Sequence, residues 1–257
     1  MKQYSQNSIF NIAVLGHGGS GKTTLADSVL YYGKATERIG KTADGTSLLD
    51  FDAEEKKRGN SVTTSVYALE IGGKKLNIID APGQFDFAGG VCEAVSAADS
   101  AVIVISGKSG LTVGAKQAYE KARSKNLSVA FFVGKLDSSH AHFYRVISSL
   151  VANYGAVVCP IVVPYIEDET VKCYVDLIEN KAYAPSGMDR KEMRMPVSTE
   201  IDQMRDMLLE AVASADENLM EKYFGGEELT IDEIKTAIRK ATIANEMVPV
   251  CCGTSYK

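Results

Sequence analysis

The chain has 257 residues, 45% of them hydrophobic, which allows one large domain or one domain with a subdomain. A net charge of −5 and a pI near 5.4 exclude a broad basic face for reading nucleic acid. Five cysteines with no C-x-x-C pair exclude a disulfide framework, and no secretory segment or membrane-length apolar run is present, so a soluble, cytoplasmic protein is expected.

The first predicted strand is Ile9–Leu15 (IFNIAVL), β-branched and apolar. It runs into Gly16-His17-Gly18-Gly19-Ser20-Gly21-Lys22-Thr23, which fits glycine, four free positions, then Gly-Lys-Thr. Thr24–Tyr32 (TLADSVLYY) reads as the helix that follows. In that context the motif has a mechanism. Backbone N–H groups from Gly16 to Thr24 wrap a β-phosphate, and the helix N-terminus adds positive potential. Lys22 supplies a point charge to the β- and γ-phosphates, and Thr23 offers a hydroxyl to Mg²⁺. The stretch implies binding of a nucleoside triphosphate.

Arg38–Ser65 is polar and dotted with glycine, and holds Arg58-Gly59-Asn60-Ser61-Val62-Thr63-Thr64. Such a segment can order around a γ-phosphate and Mg²⁺ and release after hydrolysis. Ser61 is the candidate Mg²⁺ hydroxyl, with Thr63 or Thr64 as fallbacks. An ordinary charged loop is the competing reading. Ser61–Ile71 alternates as a strand, Gly72-Gly73 marks a hairpin turn, and Lys75–Ile79 (KLNII) returns. Asp80-Ala81-Pro82-Gly83 follows that strand. There Asp80 would support Mg²⁺, and the Gly83 N–H would meet the γ-phosphate.

Ala101–Ser106 (AVIVIS) reads as a strand buried on both faces, Val113–Lys125 as an amphipathic helix, and Val129–Val133 (VAFFV) as another buried strand. The latter ends in Gly134-Lys135-Leu136-Asp137. A carboxylate at Asp137 would accept hydrogen bonds from N1–H and the 2-amino group of guanine, a donor pair that adenine lacks. The Lys135 stem could pack over the base. His142–Asn153 reads as a helix, and His140 with His142 as its solvated start rather than a metal site. Val248–Cys252 (VPVCC) closes the series.

Residues 160–247 interrupt the alternation. Ile161–Val163 and Val171–Asp176 are strand-like, Ala184–Ser198 reads as a loop, and Ile201, Met204, Leu208, Ala211 and Val212 have helical spacing. Thr230 with Glu233 makes a capping box before another helix. The expected fold is α/β, a mostly parallel doubly wound sheet of phosphate-loop type over residues 1–159 and 248–257, with an inserted α+β subdomain over 160–247. No covering helix follows the last strand, which suggests a fragment of a longer protein.

The order of these pieces resembles the GTPase domain of elongation factor G and its relatives. The run LYYGKATERIGKTADGTSLLDFDAEEKKRGNS looks like that family's first helix through switch I, and NIIDAPGQFDF is similar to its switch II. HAHFYRVISSL, VDLIENKAY and VPVCCGTSYK resemble its later helix, its inserted subdomain and the loop that finishes its base pocket. The resemblance implies a phosphate-loop GTPase fold, binding of GTP/GDP with Mg²⁺, and GTP hydrolysis stimulated by a ribosome that the full-length parent docks on. It also implies a monomer that neither enters a membrane nor reads nucleic acid through this domain. Lys22 and Gly83 would act on the phosphates, and Thr23, Ser61 and Asp80 would hold Mg²⁺. Thr254, Ser255 and Tyr256 would lie at the base, where the Ser255 N–H could reach guanine O6.

Departures from the family pattern qualify that reading. Gly19 stands where the family has Asp, Asn60 where it has Ile, and Ala81 where it has Thr. Gln84 replaces a water-positioning His, and glutamine can also orient a water. Gly134 replaces an Asn that reads guanine N7 and braces the phosphate loop, and Thr254-Ser255 replaces Ser-Ala. These departures suggest a divergent paralogue. They keep open a GTP-dependent scaffold or ribosome-protecting module that barely hydrolyses. An ATPase is a third reading, against which Asp137 argues.

Overall fold

Short β-branched runs become strands because their side chains pack on a pleated surface. In the computed structural model, which describes residues 3–185 and 190–254, Ile9–Leu15 forms β1 and buries Ala13, Val14 and Leu15. The chain groups into two compact units, the first made of residues 3–105 and 112–129. After β1 come α1 (Lys22–Tyr32), α2 (Ala53–Arg58), β2 (Ser65–Ile71), β3 (Lys74–Asp80), α3 (Ala88–Ala97), β4 (Ser100–Ser106) and α4 (Val113–Ser124). β1 pairs parallel with β3, from Ile9↔Lys75 to Val14↔Asp80, and parallel with β4, from Ile12↔Ser100 to Leu15↔Ile103. β2 and β3 form the expected hairpin, and Gly72 and Gly73 turn it with φ of +56° and +76°. The order is β2-β3-β1-β4. β1 therefore lies where connections pass to both sides, and the crevice beyond its C-terminal end is where such sheets bind ligands.

The second unit comprises residues 106–111, 130–185 and 190–254. Its elements are β5 (Ser128–Gly134), α5 (Phe143–Tyr154), β6 (Val158–Pro160), β7 (Val162–Glu167), β8 (Thr170–Asp176), β9 (Lys181–Tyr183), β10 (Glu192–Met193), α6 (Thr199–Ala213), α7 (Glu217–Phe224), α8 (Ile231–Ile243) and β11 (Val248–Cys252). β11 runs parallel between β5 and β6. The antiparallel sheet β10-β9-β8-β7 is inserted between β6 and β11 in the chain. α5 buries Phe143, Val146, Ile147 and Leu150, one apolar stripe at helical spacing. The capping box at Thr230 and Glu233 starts α8, as the sequence predicts. The architecture is mixed α/β, with a mostly parallel central sheet and an inserted antiparallel one.

Three expectations change. The strand expected from Ser61 begins at Ser65, because the Val62 and Thr63 N–H groups donate to Glu55 Oε1 at 2.9 and 3.1 Å instead of to a ladder. The polar stretch before it contains α2, started by a capping box of Asp52 and Glu55. The stretch Ala184–Ser198, expected as a loop, contributes β10, whose two residues are too few to show a period.

Candidate functional site

The loop after β1 owes its shape to glycine. A Cβ at Gly16 would lie 2.5 Å from the Val104 carbonyl oxygen, and the Gly16 φ of +140° suits glycine alone. The chain then turns through a Ser20 N–H to His17 carbonyl bond of 3.2 Å into α1. Lys22 is only 6% exposed, and its Nζ donates across the loop to the His17 carbonyl at 3.1 Å. Thr24 sits in the first turn, its carbonyl accepting from Ser28 Oγ. The Ser20 hydroxyl and His17 Nδ1 are buried without hydrogen-bond partners among the described residues. A phosphate cradle shares two of these features, a buried ammonium and a helix N-terminus.

Below the loop, two hydroxyls and a carboxylate converge. Thr23 Oγ1 donates to Asp80 Oδ2 at 2.6 Å, and Ser61 Oγ donates to Asp50 Oδ1 at 2.6 Å. A hydroxyl carries one proton. Thr23 Oγ1 and Ser61 Oγ also lie within hydrogen-bond distance of each other, 3.0 Å apart, with either able to donate, and each oxygen carries lone pairs. Asp80 Oδ1 is buried with no partner among the described residues. Burial pushes the Asp80 carboxyl up to about 7, opposed by the Thr23 hydrogen bond and the Lys22 charge. Three oxygens with unused lone pairs fit a hard divalent cation such as Mg²⁺. No cluster of three His, Cys, Asp or Glu with metal-binding form occurs among the described residues.

Ser61, rather than its fallbacks, meets Thr23. Thr63 Oγ1 donates to Glu55 at 3.1 Å, and Thr64 Oγ1 to the Gly90 carbonyl at 3.1 Å. Sequence reasoning missed the groups that hold Ser61 in place. Asp50, 4% exposed, accepts from Ser61; Glu55, 1% exposed, gathers Val62 and Thr63; and Asp27 Oδ1 on α1 accepts from the Leu48 N–H at 3.2 Å. Burial raises the Asp27 and Asp50 carboxyls as well. Only the Asp52-x-x-Glu55 capping pattern was readable in advance.

After β3, the backbone of Gly83 lies against the loop. A Cβ there would collide with Lys22 Nζ and lie 2.7 Å from the Gly18 nitrogen. The Gln84 side chain reaches over Gly18, and the Phe85 ring tilts against His17 with centroids 5.6 Å apart.

In the second unit, β5 ends at Gly134, whose carbonyl accepts from the Gly107 N–H at 2.8 Å. Lys135 (φ +57°) and Asp137 are exposed on the turn that follows, with Leu136 buried between them. Burial raises the Tyr174 hydroxyl of β8 well above its ordinary value. Thr254 follows β11; Ser255 and Tyr256 lie outside the described residues. A separate cavity of about 520 Å³, lined by His140, His142, Arg145, Glu169 and Glu200, touches none of the expected site residues.

The family model described as the elongation factor Tu GTP binding domain matches residues 7–257. A crystal structure of a protein from Thermus thermophilus superposes with a TM-score of 0.87 at 32% identity. That match covers 96% of this chain and 38% of the other, so the chain spans little more than a third of that protein's length. No described helix is long and apolar enough to cross a membrane. With a family match that runs through both units, the chain belongs to the elongation factor Tu GTP-binding domain family.

Proposed function

We propose that the chain is the GTP-binding, Mg²⁺-dependent GTPase domain of an elongation factor G-like translation factor. One observation carries the reading. Thr23, just after the phosphate loop, is within hydrogen-bond distance of both Ser61 and Asp80, and Asp80 Oδ1 is buried with no partner among the described residues. An unpaired buried carboxylate oxygen is costly, and a cation held by Asp80 with the Thr23 and Ser61 hydroxyls would offset that cost.

In this reading Lys22 and the loop amides hold the β- and γ-phosphates. Thr23, Ser61 and Asp80 hold Mg²⁺, which when bound neutralises phosphate charge. Gly83, packed on the loop, turns its N–H toward the γ-phosphate. Gln84 orients the attacking water, and its amide can both donate and accept. In the second unit Asp137 takes the guanine donor pair, the Lys135 stem covers the base, and Thr254 to Tyr256 line it. Residues 160–247 form a subdomain inserted in the G domain. The parent is a cytoplasmic monomer that meets the ribosome through its full length.

The test is GTP turnover by the full-length protein, with and without ribosomes, alongside GDP and ADP affinities at several Mg²⁺ concentrations. The reading expects guanine-selective, Mg²⁺-dependent binding and hydrolysis that ribosomes raise. Tight guanine binding with turnover at background under both conditions would replace the enzyme with a GTP-dependent scaffold.

A further inference from the structure

We propose that Cys92 and Lys121 form an oxidant-sensitive latch between α3 and α4, in which a peroxide joins the Cys92 sulphur covalently to the Lys121 nitrogen. The two side chains come from different helices of the first unit, and Cys92 is exposed. Lys121 Nζ donates to Cys92 Sγ at 2.7 Å, and Cys92 Sγ donates in turn to the Ala88 carbonyl at 3.3 Å. The sulphur is thus held with a lone pair facing an amine. A surface lysine ordinarily keeps its ammonium in water or pairs it with a carboxylate. No ion pair among the described residues involves Lys121, and its hydrogen-bond partner there is the sulphur.

The other cysteines show the contrast. Cys159, Cys173 and Cys252 are buried and Cys251 is half-buried. Burial raises all four thiols, Cys159 to about 12 and Cys251 to about 11. Buried thiols are inert to oxidants, whereas Cys92 is open to solvent and has a second nucleophile against it.

The chemistry takes two steps. The sulphur attacks one peroxide oxygen and the O–O bond breaks. Sulphur is oxidised to a sulfenic acid, the peroxide is reduced, and the thiol proton leaves with the second oxygen as water. Lys121 then gives its ammonium proton to solvent, and its lone pair attacks the sulphur. The S–O bond breaks, the hydroxyl leaves with one nitrogen proton as water, and an S–N bond remains. Two thiols of a reductant reverse it, ending as a disulfide while Cys92 and Lys121 regain their hydrogens. A cysteine alone would stop at the oxygen adduct; the amine at contact distance supplies the second step.

The latch has a mechanical target. α3 begins at Ala88, directly after the turn Phe85–Phe87 that follows Gly83 and Gln84. Its Gly90 carbonyl and Glu93 carboxylate lie 3.1 and 3.2 Å from Thr64 Oγ1, in the polar segment before β2. Lys121 also lines a cavity of about 80 Å³ together with Gly16, Gly83 and Gln84. A bond from α3 to α4 therefore pins the helix that touches both segments assigned to the γ-phosphate. On the proposed GTPase reading, on which this consequence rests, the bond slows exchange between the triphosphate and diphosphate forms.

The experiment treats full-length wild type, Cys92→Ser and Lys121→Arg with hydrogen peroxide, then reads digests by mass spectrometry. The wild type should yield the Cys92 and Lys121 peptides joined, lighter than their sum by two hydrogens, and a thiol reductant should separate them. Neither variant should join them, since serine has no oxidisable sulphur and arginine keeps the charge without a nucleophilic amine. Peroxide should lower wild-type GTP turnover on the order of tenfold, restored by reductant, and leave Lys121→Arg near its untreated rate. A Cys92 that stays a thiol, or that stops at a sulfenic or sulfinic acid with no joined peptide, would overturn the latch. So would equal loss of turnover in the wild type and Lys121→Arg. Absent wild-type turnover with ribosomes before any oxidant would sink the GTPase reading, and the joined peptide would still decide the bond.

Discussion

The phosphate end of the first unit and the strand end of the second use the same residue types under opposite conditions. In the first, Lys22, Thr23, Asp27, Asp50, Glu55 and Asp80 are all under a tenth exposed. In the second, Lys135 and Asp137 are exposed on a turn, and Gly134 brings no side chain. Burial makes unmet polar needs visible, since an orphaned acceptor out of water is costly and calls for an explanation. Exposure hides them, because water satisfies every lone pair. The first region therefore supports its proposed ligand chemistry by what it lacks, and the second supports its own only through residue identity.

The largest effect that can break this contrast is at Lys22. Lys22→Ala removes the buried ammonium of the loop and should abolish measurable GTP binding by equilibrium titration. A charge-assisted hydrogen bond is worth roughly 1.5–3 kcal/mol, and phosphate charge left unpaired adds to the loss. Near-normal affinity in a folded Lys22→Ala protein would remove the phosphate loop from the argument.

The next effect is on stability and pH. Burial raises the carboxyls of Asp27, Asp50 and Asp80, that of Asp80 to about 7. A carboxyl raised above its unfolded value favours the folded state while protonated. That contribution is fully present below the unfolded value and is lost as pH rises through the folded one. The nucleotide-free protein should therefore lose thermal stability between roughly pH 4 and 7. GDP with Mg²⁺ should remove most of the fall, since a cation does at high pH what the proton does at low pH. Asp80→Asn should flatten the profile without ligand and abolish the Mg²⁺ response. Melting curves from pH 4 to 8, with and without GDP and Mg²⁺, check this. A profile that rises with pH in the wild type would contradict the burial of these carboxylates.

The same contrast separates what was legible in the sequence from what was not. The phosphate loop, the hairpin, Asp80 and Ser61 were legible, because contiguous motifs and period-2 runs are local signals. Asp27 and Asp50 were not, though both lie in quoted stretches. Their partners, Leu48 and Ser61, are 21 and 11 residues away, and nothing local distinguishes a buried aspartate from a solvated one. The strand limit at Ser65 failed for a related reason. Glu55 captures the Val62 and Thr63 amides, so a side chain overrides a plausible alternation. The Gln84–Gly18 contact joins segments on different sides of the sheet's first crossover and has no trace in either motif.

The smallest predicted effect sharpens the exposed end. On the proposed assignment, Gly134 would forfeit a side-chain hydrogen bond to the base, which at roughly 0.5–1.5 kcal/mol would weaken guanine binding by up to about tenfold. Gly134→Asn should recover that factor, and the backbone permits it. Gly134 has no left-handed φ, and a Cβ would touch only the Phe132 ring, at 3.4 and 3.7 Å from Cε1 and Cδ1, which is ordinary contact. The new amide should then find its partner in the ligand, so the gain should appear in GDP affinity and not in the stability of the free protein. Asp137→Asn tests the neighbouring group by selectivity rather than strength. Xanthine replaces the 2-amino donor with a carbonyl acceptor that an amide N–H can serve, so preference should move from GDP toward XDP. Affinities of GDP, ADP and XDP for the wild type and both variants check the pair. Equal affinity for ADP and GDP in the wild type, with no change in Asp137→Asn, would show that this exposed carboxylate reads no base.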